Sequence, residues 1–158
     1  MADTPILIRS AVSGDAEVIA VFCERLAQET EGLTLDAATV RRGVRAALDD
    51  GAKGRYFVAE VDGRPVGVLL TTYEWSDWRD SLYLWIQSVY VDTAYRGRGV
   101  FRRLYDHVAG LVGRDGICGL RLYAHAENEG AIQTYRRLGM RHYGYRVFET
   151  ADPLRPEE

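Results

Sequence analysis

The segment Tyr95-Arg96-Gly97-Arg98-Gly99-Val100 lies between an apolar stretch, residues 83–91, and an amphipathic stretch, residues 101–112. This order predicts a strand, a glycine turn and a helix. The two glycines let the backbone turn sharply, because neither carries a Cβ atom. A helix that begins at such a turn directs unpaired N–H groups into it, and these groups attract phosphate. The segment therefore predicts a phosphate site, to which arginines at 96, 98, 102 and 103 add positive charge.

A second segment, residues 128–140 (NEGAIQTYRRLGM), follows another strand-like run. Asn128 is placed to cap a helix and Gly139 to end it. Together the two segments resemble the GNAT superfamily of acyl-coenzyme A N-acyltransferases, whose patterns are Arg/Gln-x-x-Gly-x-Gly/Ala and Asn-x-x-Ala-x-x-x-Tyr-x-x-Leu-Gly-Phe. The matching residues are, in order, Arg96, Gly99, Asn128, Ala131, Tyr135, Leu138 and Gly139.

Two positions depart from these patterns. Met140 stands where the family has an aromatic residue, and Phe101 replaces the small residue that closes the turn against the pyrophosphate. The backbone N–H of Phe101 still suits a ligand. The resemblance runs from about Ile6 to Glu149 and implies the GNAT fold, a mixed and mostly antiparallel sheet flanked by helices on both sides.

Hydrophobic periodicity along the chain predicts an α/β arrangement of the same kind. Strands are expected at 6–9, 56–61, 66–70, 83–91 and 119–126, helices at 13–27, 36–48, 101–112 and 128–139, and a final hairpin at 141–149. The Asp62-Gly63 pair between two of these strands is a typical hairpin turn. At 158 residues, the chain is expected to form a single domain over 1–158, with its core at about 6–149.

Composition excludes several classes of protein. A net charge of −3 argues against general binding to nucleic acid or membrane surfaces. Lys53 is the only lysine, and its surroundings lack the spacing of a nucleotide-binding P-loop. The three histidines show no metal-ligand spacing, so no metal is expected. Cys23 and Cys118 lack CxxC spacing, and with no secretory leader in view we expect a reduced, cytoplasmic protein.

The resemblance implies acetyl-coenzyme A as co-substrate. Its pyrophosphate would lie on the N–H groups of about Gly97 to Arg102, and its pantetheine arm beside the preceding strand. The expected cofactor-binding residues are Val89, Tyr90, Val91, Arg96, Gly97, Arg98, Gly99, Val100, Phe101, Arg102 and Asn128. The strand backbone would also polarise the thioester carbonyl, so that an amine can attack without a covalent enzyme intermediate.

Proton transfer needs a donor for the departing thiolate and an acceptor for the amine proton. The resemblance places Tyr135 near the sulfur as the donor, since a phenol with a pKa of about 10 stays protonated at neutral pH. Packing in the core is the alternative role for this side chain. Many relatives carry a glutamate where this chain has Gln87, which can orient a water. The alternatives are that Glu74, Glu29 or Glu31 acts as the base, or that there is no dedicated base.

Residues 73–80, Tyr-Glu-Trp-Ser-Asp-Trp-Arg-Asp, interleave three carboxylates with three aromatic rings. Carboxylates pair with ammonium groups and indole faces add cation–π attraction, so this connection between strands predicts a site for a cationic amine. Its composition resembles the diamine and thialysine acetyltransferases. The predicted substrate residues are Glu31, Glu74, Trp75 and Asp77. The alternative is a solvated turn with tryptophans packed at a dimer surface.

These observations predict an enzyme that transfers acetyl from acetyl-coenzyme A to a small primary amine, cationic in character. One alternative acceptor is a protein N-terminus or lysine. Another alternative, based on Gln87 and Phe101, is a coenzyme A sensor without turnover, whereas Tyr135 favours catalysis. Family habit suggests a homodimer.

Overall fold

The computed structural model describes residues 5–150 and Leu154, in one unit up to Leu122 and a second from Tyr123 onward. The first unit contains, in chain order, β1 (Leu7–Ser10), a 3-10 helix (Ser13–Asp15), α1 (Ala16–Glu31), α2 (Ala37–Asp49), β2 (Arg55–Val61), β3 (Arg64–Ser76), β4 (Ser81–Val91), a second 3-10 helix (Thr93–Tyr95), α3 (Val100–Ala109) and β5 (Ile117–Leu122). The described part of the second unit contains α4 (Glu129–Arg137).

The five strands form one sheet in the order β1-β2-β3-β4-β5. The first three pairings are antiparallel and the last, β4 with β5, is parallel. Between β2 and β3, Asp62 and Gly63 have φ values of 49° and 73°, which is the backbone conformation that tight hairpins require. The predicted fold class, a mixed and mostly antiparallel sheet, is confirmed.

Helices cover both faces of this sheet. Alternate strand residues such as Tyr56, Val58 and Val68 pack with α1 and α2 on one face. On the other face the ring of Phe57 lies 4.9 Å from that of His107 in α3. A Cβ atom at Gly67 would come within 2.9 Å of a Val100 methyl group, so glycine at 67 lets α3 lie close to β3.

Two predictions from the pattern are wrong. Residues 73–76 are not a connection between strands, because β3 continues to Ser76 and the turn is confined to 77–80. Residues 141–149 form no strand, although their alternating aromatic residues favour one. An isolated two-stranded hairpin is marginally stable in water, and the described residues of the second unit contain no strand that would extend it. No helix in the described part of the chain is long and apolar enough to span a membrane.

Candidate active site

The turn between β4 and α3 has the geometry that its glycines predict. Gly97 and Gly99 have φ values of 74° and 79°, a left-handed conformation that favours glycine, and Gly99 caps α3. The first hydrogen bond of the helix runs from the Arg103 N–H to the Gly99 carbonyl at 3.0 Å. The N–H groups of the helix's first turn therefore have no helical acceptor. A Cβ atom at either glycine would meet no heavy atom within 4 Å, so the turn faces open space.

Two of the four guanidinium groups of this turn, those of Arg96 and Arg102, are paired with carboxylates of the protein itself. Arg96 donates from Nε to the Val91 carbonyl at 3.0 Å and from Nη2 to a Glu29 carboxylate oxygen at 2.6 Å. Arg102 pairs with Asp106 at 2.8 Å, and Arg98 lies over the Tyr95 ring at 5.2 Å. The turn therefore offers an anion its backbone N–H groups and the exposed guanidinium groups of Arg98 and Arg103.

Beside the turn, β4 has a free edge. Its pairing with β5 covers only Leu82 to Ile86, whereas Ser88 to Val91 pair with β3 alone in the part of the chain that the structure describes. Gln87 lies at a bulge, since Ser88 and Ile86 face successive residues of β3, and its side chain is exposed. The predicted cofactor residues Val89, Tyr90 and Val91 thus lie where one side of the strand is open.

The side chain of Tyr90 points into the core and is 3% exposed. Its ring contacts Phe22, with centroids 5.1 Å apart, and its hydroxyl donates to Glu29 at 3.1 Å. Burial, with the neighbouring Glu29 carboxylate, raises the pKa of Tyr90. The hydrogen bond from Arg96 lowers the pKa of Glu29, which is therefore anionic at neutral pH and a poor base. No motif of the sequence indicates this connection to α1, because Glu29 and Arg96 are 67 residues apart.

The predicted acceptor residues are divided by the sheet. Neighbouring strand residues point to opposite faces, so Glu74 and Trp75 lie on different sides of β3. Both carboxylate oxygens of Glu74 are engaged, one by Arg121 at 2.6 Å and the other by Trp85 Nε1. Trp75 is 60% exposed, and Asp77 in the turn accepts the Trp78 N–H at 2.9 Å. Glu31, the remaining candidate, is the last residue of α1.

In the second unit, α4 begins and ends as its sequence predicts. The side chain of Asn128 accepts from the Ala131 N–H at 3.1 Å, and Gly139, just beyond the helix, has a φ of 84°. Tyr135 is half-buried in this helix. Burial raises the pKa of Tyr135, so its phenol is protonated at neutral pH and able to donate.

A glycine turn open to an anion, next to a strand with one free edge, is the arrangement that the resemblance implies. Residues 21–140 match the family described as Acetyltransferase (GNAT). The chain belongs to this family. Membership confirms the predicted enzyme class, the acetyl-coenzyme A-dependent acyltransferases.

Three relatives illustrate the relationship. A possible acetyltransferase from Clostridium difficile 630 is 42% identical, with a TM-score of 0.88 over 95% of this GNAT chain and 99% of that one. An uncharacterized N-acetyltransferase of Methanocaldococcus jannaschii is 34% identical over 85 residues, which are 53% of this chain and only 38% of that relative. An aminoglycoside N-acetyltransferase in complex with CoA is 17% identical, with a TM-score of 0.78 over 94% of this chain and 96% of that chain. At this identity the likeness shows the fold alone.

Proposed function

We propose that this GNAT protein, acting as one domain over residues 1–158, transfers acetyl from acetyl-coenzyme A to a small, cationic primary amine within a ternary complex. The observation that carries this proposal is the open turn at Gly97 and Gly99 beside the free edge of β4. We further propose a cytoplasmic homodimer, following the family habit. Light scattering after size-exclusion chromatography tests the dimer.

In this proposal the backbone binds and polarises the co-substrate. The turn N–H groups up to Arg102 hold the pyrophosphate, and the free edge at Val89 to Val91 binds the pantetheine arm and polarises the thioester carbonyl. Acetyl-coenzyme A supplies the activated acetyl group. Gln87, exposed at the bulge of the same strand, positions a water that takes the amine proton. By the family resemblance, Asn128 contacts the co-substrate and Tyr135 donates a proton to the departing sulfur.

Carboxylates select the cationic acceptor. Glu31 is the last residue of α1, the helix whose Glu29 contacts Arg96, and in this proposal its charge attracts a short cationic amine toward the Val91 end of β4. Asp77, with Trp75 and Trp78, lies at the opposite end of β4, where the first strand residue, Ser81, is seven residues or roughly 23 Å from Ser88. An acceptor that uses both places must be elongated. This distance favours, as a second candidate, a cationic segment of polypeptide with a free N-terminus or lysine.

Release of coenzyme A thiol, measured against a panel of acceptors, tests the proposal. The panel contains short diamines, a neutral amine of similar size and a basic peptide with a free or a blocked N-terminus. We expect the diamines to be acetylated faster than the neutral amine. Activity confined to the peptides would favour the polypeptide acceptor. Binding of acetyl-coenzyme A with no thiol release from any acceptor would indicate a sensor and contradict the proposal.

A further inference from the structure

Two ion pairs join the last turns of α1 to the connection between β4 and α3. Glu29 accepts from Arg96 Nη2 at 2.6 Å, and Arg25 donates to Asp92 at 3.2 Å. Asp92 in turn caps the short helix that starts the connection, because its other carboxylate oxygen accepts the Ala94 N–H at 3.0 Å. The helix α1 therefore holds the first part of this connection, at Asp92 and at Arg96.

The Arg96 side chain makes three contacts with the protein. Its guanidinium lies over the Tyr90 ring, 5.4 Å from the centroid, with Nε on the Val91 carbonyl and Nη2 on Glu29. Arg96 itself has an extended backbone, with φ −65° and ψ 152°, directly before the left-handed Gly97. A side chain fixed at three places sets the direction in which the chain enters the glycine turn.

We infer that Glu29 is a positioning residue for the co-substrate turn and that it acts through Arg96. The inference rests on the proposed function, because it assigns the turn to acetyl-coenzyme A. Glu29 and Arg96 are both well exposed, and exposed ion pairs add little to global stability. The contribution of this pair is local: it holds the N–H groups of the turn in the arrangement that an anion needs, which lowers the cost of ordering them on binding.

Isothermal titration of the full chain with acetyl-coenzyme A tests this role. We expect Glu29→Gln to raise the Kd about 5-fold, which is the upper limit for an exposed ion pair and the lower end of the usual coupling between sites. Glu17→Gln is the matched control, since Glu17 is on the same helix and, like Glu29, accepts from arginine, in its case Arg41 and Arg45, which lie outside the turn. Its Kd should equal that of the wild type. In turnover, Glu29→Gln should raise the KM for acetyl-coenzyme A and leave kcat at saturation and the KM for the amine unchanged.

A double-mutant cycle identifies the route of the effect. If Glu29 acts through Arg96, the Kd of the double variant Glu29→Gln with Arg96→Ala will equal that of Arg96→Ala alone. A large loss with Arg96→Ala and none with Glu29→Gln would mean that Arg96 binds the co-substrate directly, and would overturn the inference. A wild-type chain that binds no acetyl-coenzyme A would instead refute the proposed function, and this inference with it.

Discussion

The two ends of β4 differ in what they leave for a ligand. At the Val91 end one edge of the strand is unpaired within the described residues, and the side chain of the neighbouring Arg96 is bound to Glu29. At the Ser81 end the strand is paired on both sides, while indoles such as Trp78, which is 89% exposed, face solvent. A ligand at the first end would be bound by backbone groups, and a ligand at the second by side chains. Chemistry that is common to a family suits the first end, and selectivity between acceptors suits the second.

The largest effect we expect is on kcat, from removal of the proposed proton donor, Tyr135. The backbone at the Val91 end does not provide this donor. Tyr135→Phe keeps the ring and removes the hydroxyl, so kcat should fall about 100-fold to 10,000-fold, the usual range for general acid catalysis. The Kd for acetyl-coenzyme A should change little, because proton donation matters in the transition state. Steady-state kinetics and calorimetry measure the two quantities.

Tyr143→Phe is the control for this change, since Tyr143 is in the same unit and is 77% exposed. Its kcat should match that of the wild type. If Tyr135→Phe keeps its kcat under conditions where chemistry limits turnover, the role of Tyr135 is packing.

The next largest effect tests the backbone at the Val91 end. Gly99→Trp places a large side chain over the open turn and should weaken acetyl-coenzyme A binding about 100-fold, which corresponds to about 2.7 kcal/mol. Any L-residue at Gly99 also strains the backbone, because φ is 79°. Gly113→Trp is matched for that strain, with a φ of 83° and equally open surroundings, but lies after α3. Equal loss of affinity in both variants would show that strain, and not occlusion, is responsible.

The comparison between the two ends of β4 also shows which features could be predicted from the sequence and which could not. The glycine turn was predictable because its requirement is local: Gly97 and Gly99 have the positive φ values that favour glycine. The partners of Arg96 were not, since Glu29 is 67 residues away and only the packing of α1 brings it near. The prediction for residues 73–76 is wrong for a related reason. Their polar composition favours a loop, but pairing with residues 81–84 of β4 keeps them in a strand.

At the Ser81 end, Glu74 should affect stability and not selectivity. Glu74→Gln weakens the ion pair with Arg121, whose guanidinium also lies 3.7 Å from the Tyr83 ring centroid. Both charged side chains are about a third exposed, so we expect a loss of about 1 kcal/mol in the free energy of unfolding. Urea denaturation measures this loss. A selective rise in the KM for cationic acceptors would show instead that Glu74 binds the acceptor.

The smallest effect should come from a change at Asp77, which lies in the exposed turn between β3 and β4. Asp77→Asn removes one carboxylate among exposed indoles and should raise the KM for an elongated cationic acceptor about 2-fold to 3-fold, as expected for one solvent-exposed charge pair. The KM for a neutral amine should not change, and added salt should reduce the difference between wild type and variant because it screens exposed charges. Asp62→Asn in the β2–β3 turn is the control, since it removes a carboxylate of the same charge at a left-handed position that asparagine also accepts. If Asp62→Asn changes the KM by the same factor, the attraction comes from the net charge of the protein. If neither variant changes the KM, Asp77 does not take part in acceptor selection.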